Sequence, residues 1–102
     1  MIHEVDAHVA QTMINAGERR LLDVRYAEEW EDRRLPDGIL SPLEQLRHAV
    51  VDLNPAQQYI TYCRSGKRSA VAAMILGQNG IDAVSLRGGI NEWPFETEGD
   101  YC

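Results

Sequence analysis

Short apolar runs alternate along the chain with longer stretches in which apolar residues recur at helical spacing. The short runs predict five strands, at residues 2–5, 21–24, 39–40, 59–62 and 83–86. Aromatic and β-branched residues fill the run at 59–62, which predicts a central strand. Between the runs, the spacing predicts helices or helical turns at residues 6–15, 26–30, 42–50, 66–78 and 91–93.

Single residues mark several helix boundaries. Asp6 is suited to cap the first helix and Gly17 to end it. Pro42 suits the first turn of the third helix, and residues 33–38 predict a loop. Because strands and helices alternate, the pattern predicts an α/β fold with a mainly parallel sheet covered by helices on both faces.

Composition fits one compact domain over residues 1–102. Hydrophobic residues make up 44% of the chain, enough for a core, and charged residues make up 25%. The formal net charge of −6 argues against a nucleic-acid partner. The chain shows neither a membrane-length apolar run nor a signal-peptide pattern, so we expect a cytoplasmic protein with no membrane partner.

Several residue types receive structural interpretations. The two cysteines, Cys63 and Cys102, are not expected to form a disulfide in a reducing compartment, and Cys102 is expected to have no role. The scattered histidines predict surface positions and no metal site. Trp30 and Trp93 are expected to pack in the structure, and the acidic run at residues 28–32 predicts a solvated helix face.

The segment from residue 62 to 69 carries the chemistry. It joins a predicted strand to a predicted helix, at the sheet edge where parallel α/β folds bind ligands. Cys63 supplies a nucleophile, and Gly66 permits the backbone torsions that turn loop N–H groups inward. Three cations, Arg64, Lys67 and Arg68, follow within five residues, and the next helix adds its positive end. These surroundings favour a thiolate and an anionic substrate.

This loop, Cys63-Arg64-Ser65-Gly66-Lys67-Arg68-Ser69, resembles the active-site loop of single-domain rhodaneses. Leu22-Asp23-Val24-Arg25 and Glu29-Trp30 look like two further family signatures, and residues 88–93 look like its closing Gly-Gly motif with tryptophan. The resemblance therefore spans most of the chain. It implies a rhodanese-like fold, with a mostly parallel five-stranded sheet flanked by helices on both faces.

The resemblance also implies a sulfurtransferase. Cys63 would take sulfur from a small anionic donor such as thiosulfate, become a persulfide, and pass the sulfur to cyanide or a thiol. Asp23, Arg25 and Ser69 would support the loop. The resemblance implies neither a metal nor a cofactor. The substrate would be bound by Arg64, Ser65, Gly66, Lys67 and Arg68.

One segment departs from the family pattern. Where relatives often carry Gly-His-Ile-Pro-Gly-Ala, this chain has Arg33-Arg34-Leu35-Pro36-Asp37-Gly38, so the loop shape and substrate preference there do not carry over.

Two alternatives stay open. A cysteine phosphatase or arsenate reductase uses a related loop, but with five residues between cysteine and arginine, whereas four separate Cys63 from Arg68. The shorter loop predicts a tighter cradle, suited to a sulfur atom. The other alternative is a non-enzymatic sulfur-relay or regulatory module with a protein partner.

Overall fold

The computed structural model describes residues 3–99, and Cys102 lies outside them. Five strands carry the sheet: β1 (Glu4–Val5), β2 (Arg20–Asp23), β3 (Ile39–Leu40), β4 (Tyr59–Tyr62) and β5 (Ala83–Leu86). Four α-helices alternate with them: α1 (Ala7–Asn15), α2 (Ala27–Asp32), α3 (Leu43–Ala49) and α4 (Lys67–Gln78). Two short 3₁₀ turns complete the described structure, at Val50–Asp52 and Ile90–Glu92.

The sheet has the strand order β1-β5-β4-β2-β3. Every described pairing between these strands is parallel, so the expectation of a mostly parallel sheet is sharpened to a fully parallel one. Parallel neighbours require crossover connections, which the helices provide. Strand β4 lies at the centre, as predicted, and Leu21 of β2 pairs with its Ile60. The carboxyl end of β4 thus opens at the middle of one sheet edge.

Alternate residues of the strands face two separate hydrophobic clusters. Leu22 and Tyr59 belong to a cluster with residues of α3 and α4, whereas Leu21 and Ile60 belong to one with residues of α1 and the 3₁₀ turn at residues 90–92. Because successive strand residues point to opposite faces, this division requires helices on both sides of the sheet. Burial of both faces explains why the strands are continuous apolar runs.

The helix boundaries largely follow the predicted signals. Asp6 caps α1, accepting a hydrogen bond at its Oδ1 from the Val9 amide at 2.9 Å. Pro42 and Gly66 take the N-cap positions of α3 and α4, one residue outside each helix. The last predicted helix is a single 3₁₀ turn at Ile90–Glu92, and it ends at the extended residue Trp93, which precedes Pro94. Among residues 3–99, no helix has the length and apolar character needed to cross a bilayer.

The divergent segment at residues 33–38 is a loop anchored to the core. Leu35 is buried, and its amide donates to the Tyr62 hydroxyl at 3.1 Å. Asp37 has a φ of 62°, a left-handed conformation that glycine adopts freely and that aspartate tolerates better than most residues. Asp37 therefore occupies a backbone conformation that a glycine would adopt without strain.

Candidate active site

Cys63 lies between the end of β4 and the start of α4, with 1% of its surface exposed. Main-chain amides converge on its Sγ: the Gly66 N–H donates at 3.1 Å and the Ser69 N–H at 3.4 Å. The thiol in turn donates to the Ser69 Oγ at 3.6 Å. The loop therefore wraps the sulfur in hydrogen-bonding groups, while Arg64, Ser65 and Lys67 on its outer side are exposed.

Gly66 shapes this wrapping. Its φ of 110° lies in the region that favours glycine, and this torsion directs the following chain into α4 while the Gly66 N–H donates to the sulfur. A Cβ there would meet neighbouring atoms only at 3.6 Å, so the requirement for glycine is conformational rather than steric. The predicted function of Gly66 in curling the loop matches this geometry.

The surroundings of Cys63 act on its pKa in opposite directions. Burial raises the pKa, because the core disfavours a charge. Hydrogen bonds from the Ser69 hydroxyl and from the amides of Ser69, Gly66 and Ser65 stabilise the thiolate, and they outweigh burial. The net result is a pKa of Cys63 below its ordinary value, which is the condition for a reactive thiol at moderate pH.

The predicted cations contribute less directly than their sequence positions indicate. Arg68 forms a bidentate pair with Glu29, with Nη–Oε distances of 2.9 and 3.1 Å, although its charge also acts on Cys63. The Arg64 Nε lies 3.5 Å from the same carboxylate, and Lys67 is exposed. Glu29 therefore offsets one of the three positive charges of the loop, and uncharged donors make the direct contacts to the sulfur.

Glu29 corrects the interpretation of residues 28–32 as a purely solvated face. It is partly buried on α2, and besides binding Arg68 it accepts the Tyr26 amide at 2.9 Å. The Arg68 hydrogen bond is the main reason that the pKa of Glu29 is lowered. The local sequence pattern does not indicate this role, because Glu29 and Arg68 lie 39 positions apart. The acidic-aromatic resemblance marks the position of Glu29 without its partner.

Asp23 and Arg25 form a buried ion pair beside the loop. The Arg25 guanidinium donates to both carboxylate oxygens of Asp23, at 2.9 and 2.7 Å, and to the Arg33 carbonyl at 2.6 Å. The guanidinium also lies 5.5 Å from the ring centroid of Tyr62, the residue that precedes Cys63. The pair thus joins the ends of β2 and β4 to the divergent loop, and its supporting role at the active site stays a prediction.

Hydrogen bonds from the loop after β5 also fix the backbone of the cysteine loop. The Ile90 and Asn91 amides donate to the carbonyls of Cys63 and Arg64, at 2.9 and 3.1 Å. Gly89 allows this close approach, since a Cβ there would lie 2.4 Å from both carbonyl oxygens. Arg33 adds a bond from its Nη2 to the Ile90 carbonyl at 2.9 Å. The closing Gly-Gly motif therefore has a steric purpose beside the active site.

Two cavities lie near the elements that carry the site. One of about 170 Å³ adjoins the outer side of the loop and is bounded by Arg25, Asp32, Arg33, Arg64, Ile90 and Asn91. A larger one of about 430 Å³ lies toward the opposite end of α4, among residues such as Met74 and Gln78. Of these two, the smaller one borders Arg64, the residue that follows Cys63. Within residues 3–99, no group of three histidine, cysteine or carboxylate side chains could hold a metal ion.

Comparisons with known proteins agree with this architecture. The family model for the rhodanese-like domain matches residues 6–95. A protein of Allochromatium vinosum named sulfurtransferase is 30% identical over 95 residues, which cover 91% of this chain and 89% of that protein. A protein of Histophilus somni named tRNA sulfurtransferase is 32% identical over 79 residues, or 74% of this chain but 16% of that protein.

A solved structure matches nearly the whole fold. The crystal structure of a rhodanese-related protein from Thermoplasma volcanium superposes with a TM-score of 0.89 at 27% identity, covering 96% of this chain and 99% of that one. The α/β architecture with its parallel sheet, predicted from the sequence, is thereby confirmed. The chain belongs to the rhodanese-like domain family.

Proposed function

We propose that this protein is a sulfurtransferase that carries sulfane sulfur on Cys63. The observation that carries the proposal is the convergence of the Gly66 and Ser69 amides on Sγ at 3.1 and 3.4 Å. Such donors stabilise a thiolate and, after sulfur transfer, a persulfide anion. The relative named sulfurtransferase supports the same activity.

In the first half-reaction, the Cys63 thiolate attacks the outer sulfur of a donor such as thiosulfate. A new S–S bond forms at Cys63, the S–S bond of thiosulfate breaks, and sulfite leaves with the bonding electron pair. Arg64, Lys67 and Arg68 attract the anionic donor, and the amides of Ser65 and Gly66 hold the persulfide.

In the second half-reaction, cyanide or a thiolate attacks the outer sulfur of the persulfide. The acceptor gains that sulfur as thiocyanate or as a new persulfide, and the Cys63 thiolate is regenerated. Asp23, Arg25 and Ser69 keep the loop in place throughout. The chemistry uses no metal or cofactor, and a reducing compartment such as the cytoplasm suits a free thiolate.

Mass spectrometry of the intact protein tests the proposal. After incubation with thiosulfate, we expect one added sulfur, which a reducing thiol or cyanide removes. Cys63→Ser should abolish the addition, while the matched Cys102→Ser variant should load normally. Sulfur confined to Cys102, or hydrolysis of an aryl phosphate through Cys63 faster than sulfur transfer, would overturn it.

A relay module is the second candidate. The relative named tRNA sulfurtransferase favours it, because the match spans 16% of that protein, so the domain also occurs as a part of longer chains. A relay module would load Cys63 in a single turnover but release sulfur slowly to cyanide. Comparing single-turnover loading with steady-state thiocyanate production distinguishes the two functions.

A further inference from the structure

Two buried hydroxyl groups lie beneath the cysteine loop. Ser69 on α4 and Ser85 on β5 are both fully buried, and their Oγ atoms are 2.7 Å apart. Ser85 belongs to a strand next to β4 and was not singled out by any motif. A hydroxyl pair this short and this buried requires a fixed arrangement of protons.

The other hydrogen bonds of Ser69 determine which hydroxyl donates in the bond between Ser69 and Ser85. A hydroxyl has one proton to donate and two lone pairs. With Cys63 as a thiol, the Ser69 Oγ accepts from Sγ and donates to the Gly66 carbonyl at 3.1 Å. Its second lone pair then faces Ser85, so Ser85 is the donor.

Ionisation of Cys63 changes one of these bonds. A thiolate only accepts, so the Ser69 proton must turn from the Gly66 carbonyl to Sγ. The bond from Ser85 persists in both states. It polarises the Ser69 hydroxyl and makes it a stronger donor to the charged sulfur.

We infer that Ser85 is a positioning residue, which acts through Ser69 to stabilise the Cys63 thiolate. The inference rests on the proposed use of Cys63 as the nucleophile. It gives a role to a polar residue in the middle of an otherwise apolar strand, where a hydroxyl without a partner would destabilise the fold.

Other groups around Cys63 are accounted for separately. The charged groups that face it are Arg68 on α4 and, paired with Arg68, Glu29 on α2. Neither Arg68 nor Glu29 is a partner in the hydrogen bonds described above for the Ser69 and Ser85 hydroxyls. Thr61 is a further buried hydroxyl, but it donates to the Ser69 carbonyl at 2.8 Å rather than to Ser69 Oγ. Thr61→Val is therefore a matched control for loss of a buried hydroxyl.

The test measures the rate of Cys63 alkylation by neutral iodoacetamide across pH, in a Cys102→Ser background. The ultraviolet absorbance of the thiolate gives a second titration that is independent of reagent access. Below the midpoint, Ser85→Ala should react about threefold more slowly than its parent, and well above it the two rates should converge. Thr61→Val should keep the parent profile.

A double-variant comparison shows whether Ser85 acts through Ser69. Adding Ser85→Ala to Ser69→Ala should cause no further shift of the profile. A parent-like profile for Ser85→Ala, or an undiminished shift in the Ser69→Ala background, would overturn the inference. Because alkylation requires no sulfur donor, failure of Cys63 to load sulfur would contradict the proposed function and leave this titration result readable.

Discussion

At Cys63, main-chain amides contact the sulfur, while the guanidinium of Arg68 is bound by a carboxylate. The Arg68 guanidinium is bound at both nitrogens by Glu29, whose side chain is 19% exposed. A bidentate, partly buried pair of this kind restrains two helices as well as two charges. Glu29 thus connects loop electrostatics with the docking of α2 onto α4.

Replacing this carboxylate should affect reactivity and stability in opposite directions. In Glu29→Gln, Arg68 keeps its charge but loses its counterion, so we expect faster Cys63 alkylation at neutral pH. The lost ion pair should lower the free energy of unfolding by about 1 kcal/mol. Alkylation kinetics and urea denaturation at pH 7 measure the two effects.

Glu31→Gln provides the matched control, because Glu31 is an exposed carboxylate on the same helix. It should change neither quantity appreciably. Slower alkylation in Glu29→Gln would show that Glu29 serves chiefly to orient the loop rather than to neutralise Arg68.

At the scale of elements, the active site is a contact between two strand-to-helix connections. The loop after β4 holds Cys63, and the loop after β5 clamps its carbonyls through Gly89 and the amides that follow. Gly89 has a φ of 59°, so both torsion and space favour glycine there. The position of the sulfur consequently depends on a second loop that carries no reacting group.

Two glycine-to-alanine substitutions distinguish the steric effect of this loop contact from the effect of alanine on helix propensity. Gly89→Ala should lower the free energy of unfolding by about 2–4 kcal/mol and reduce sulfur loading, because its Cβ would overlap the Cys63 and Arg64 carbonyls. Gly77→Ala in α4 meets nothing within 4 Å and should raise stability by about 0.5 kcal/mol.

Denaturation midpoints and mass-spectrometric loading of both variants check this prediction. If Gly89→Ala were as stable as the parent and loaded sulfur equally well, the close approach of the two loops would not be needed for stability or sulfur loading.

For the whole molecule, Glu29 and Tyr62 are two groups whose shifted pKa values make stability depend on pH. The pKa of Glu29 is lowered, first by Arg68, so its contribution is complete above the unfolded value of about 4.5. That contribution is lost as pH falls through the folded pKa. The pKa of Tyr62 is raised, first by burial and then by the charge of Asp23. Its contribution is complete below the unfolded value of about 10 and is lost as pH rises toward the folded pKa.

We therefore expect the free energy of unfolding to be highest between these limits and to fall on both sides. Urea denaturation at a series of pH values measures the curve. Tyr62→Phe should flatten its alkaline limb, although the variant should also lose about 1–3 kcal/mol throughout, because the buried Leu35 amide loses its acceptor. An alkaline limb as steep as that of the parent would exclude Tyr62 as its cause.

Much of the fold could be predicted because its signals are local. Burial on both sides makes each strand a short apolar run, and amphipathic spacing marks the helices, so the five strands lie close to where the pattern placed them. The place of Cys63 between a strand and a helix, and the need for glycine at position 66, follow from the same local chemistry. Family resemblance added the pairing of Asp23 with the loop region.

The partners that tune the site could not be predicted in this way. Glu29 and Arg68 are 39 positions apart, Ser69 and Ser85 are 16 apart, and Leu35 and Tyr62 are 27 apart. Their meeting depends on the strand order and on how each crossover helix packs, which periodicity within one segment does not encode. The sequence by itself determined which residue is the nucleophile candidate and the local shape of its loop. Only the tertiary structure decided that the Ser69 hydroxyl and two loop amides contact the sulfur, while Glu29, far away in the sequence, binds Arg68.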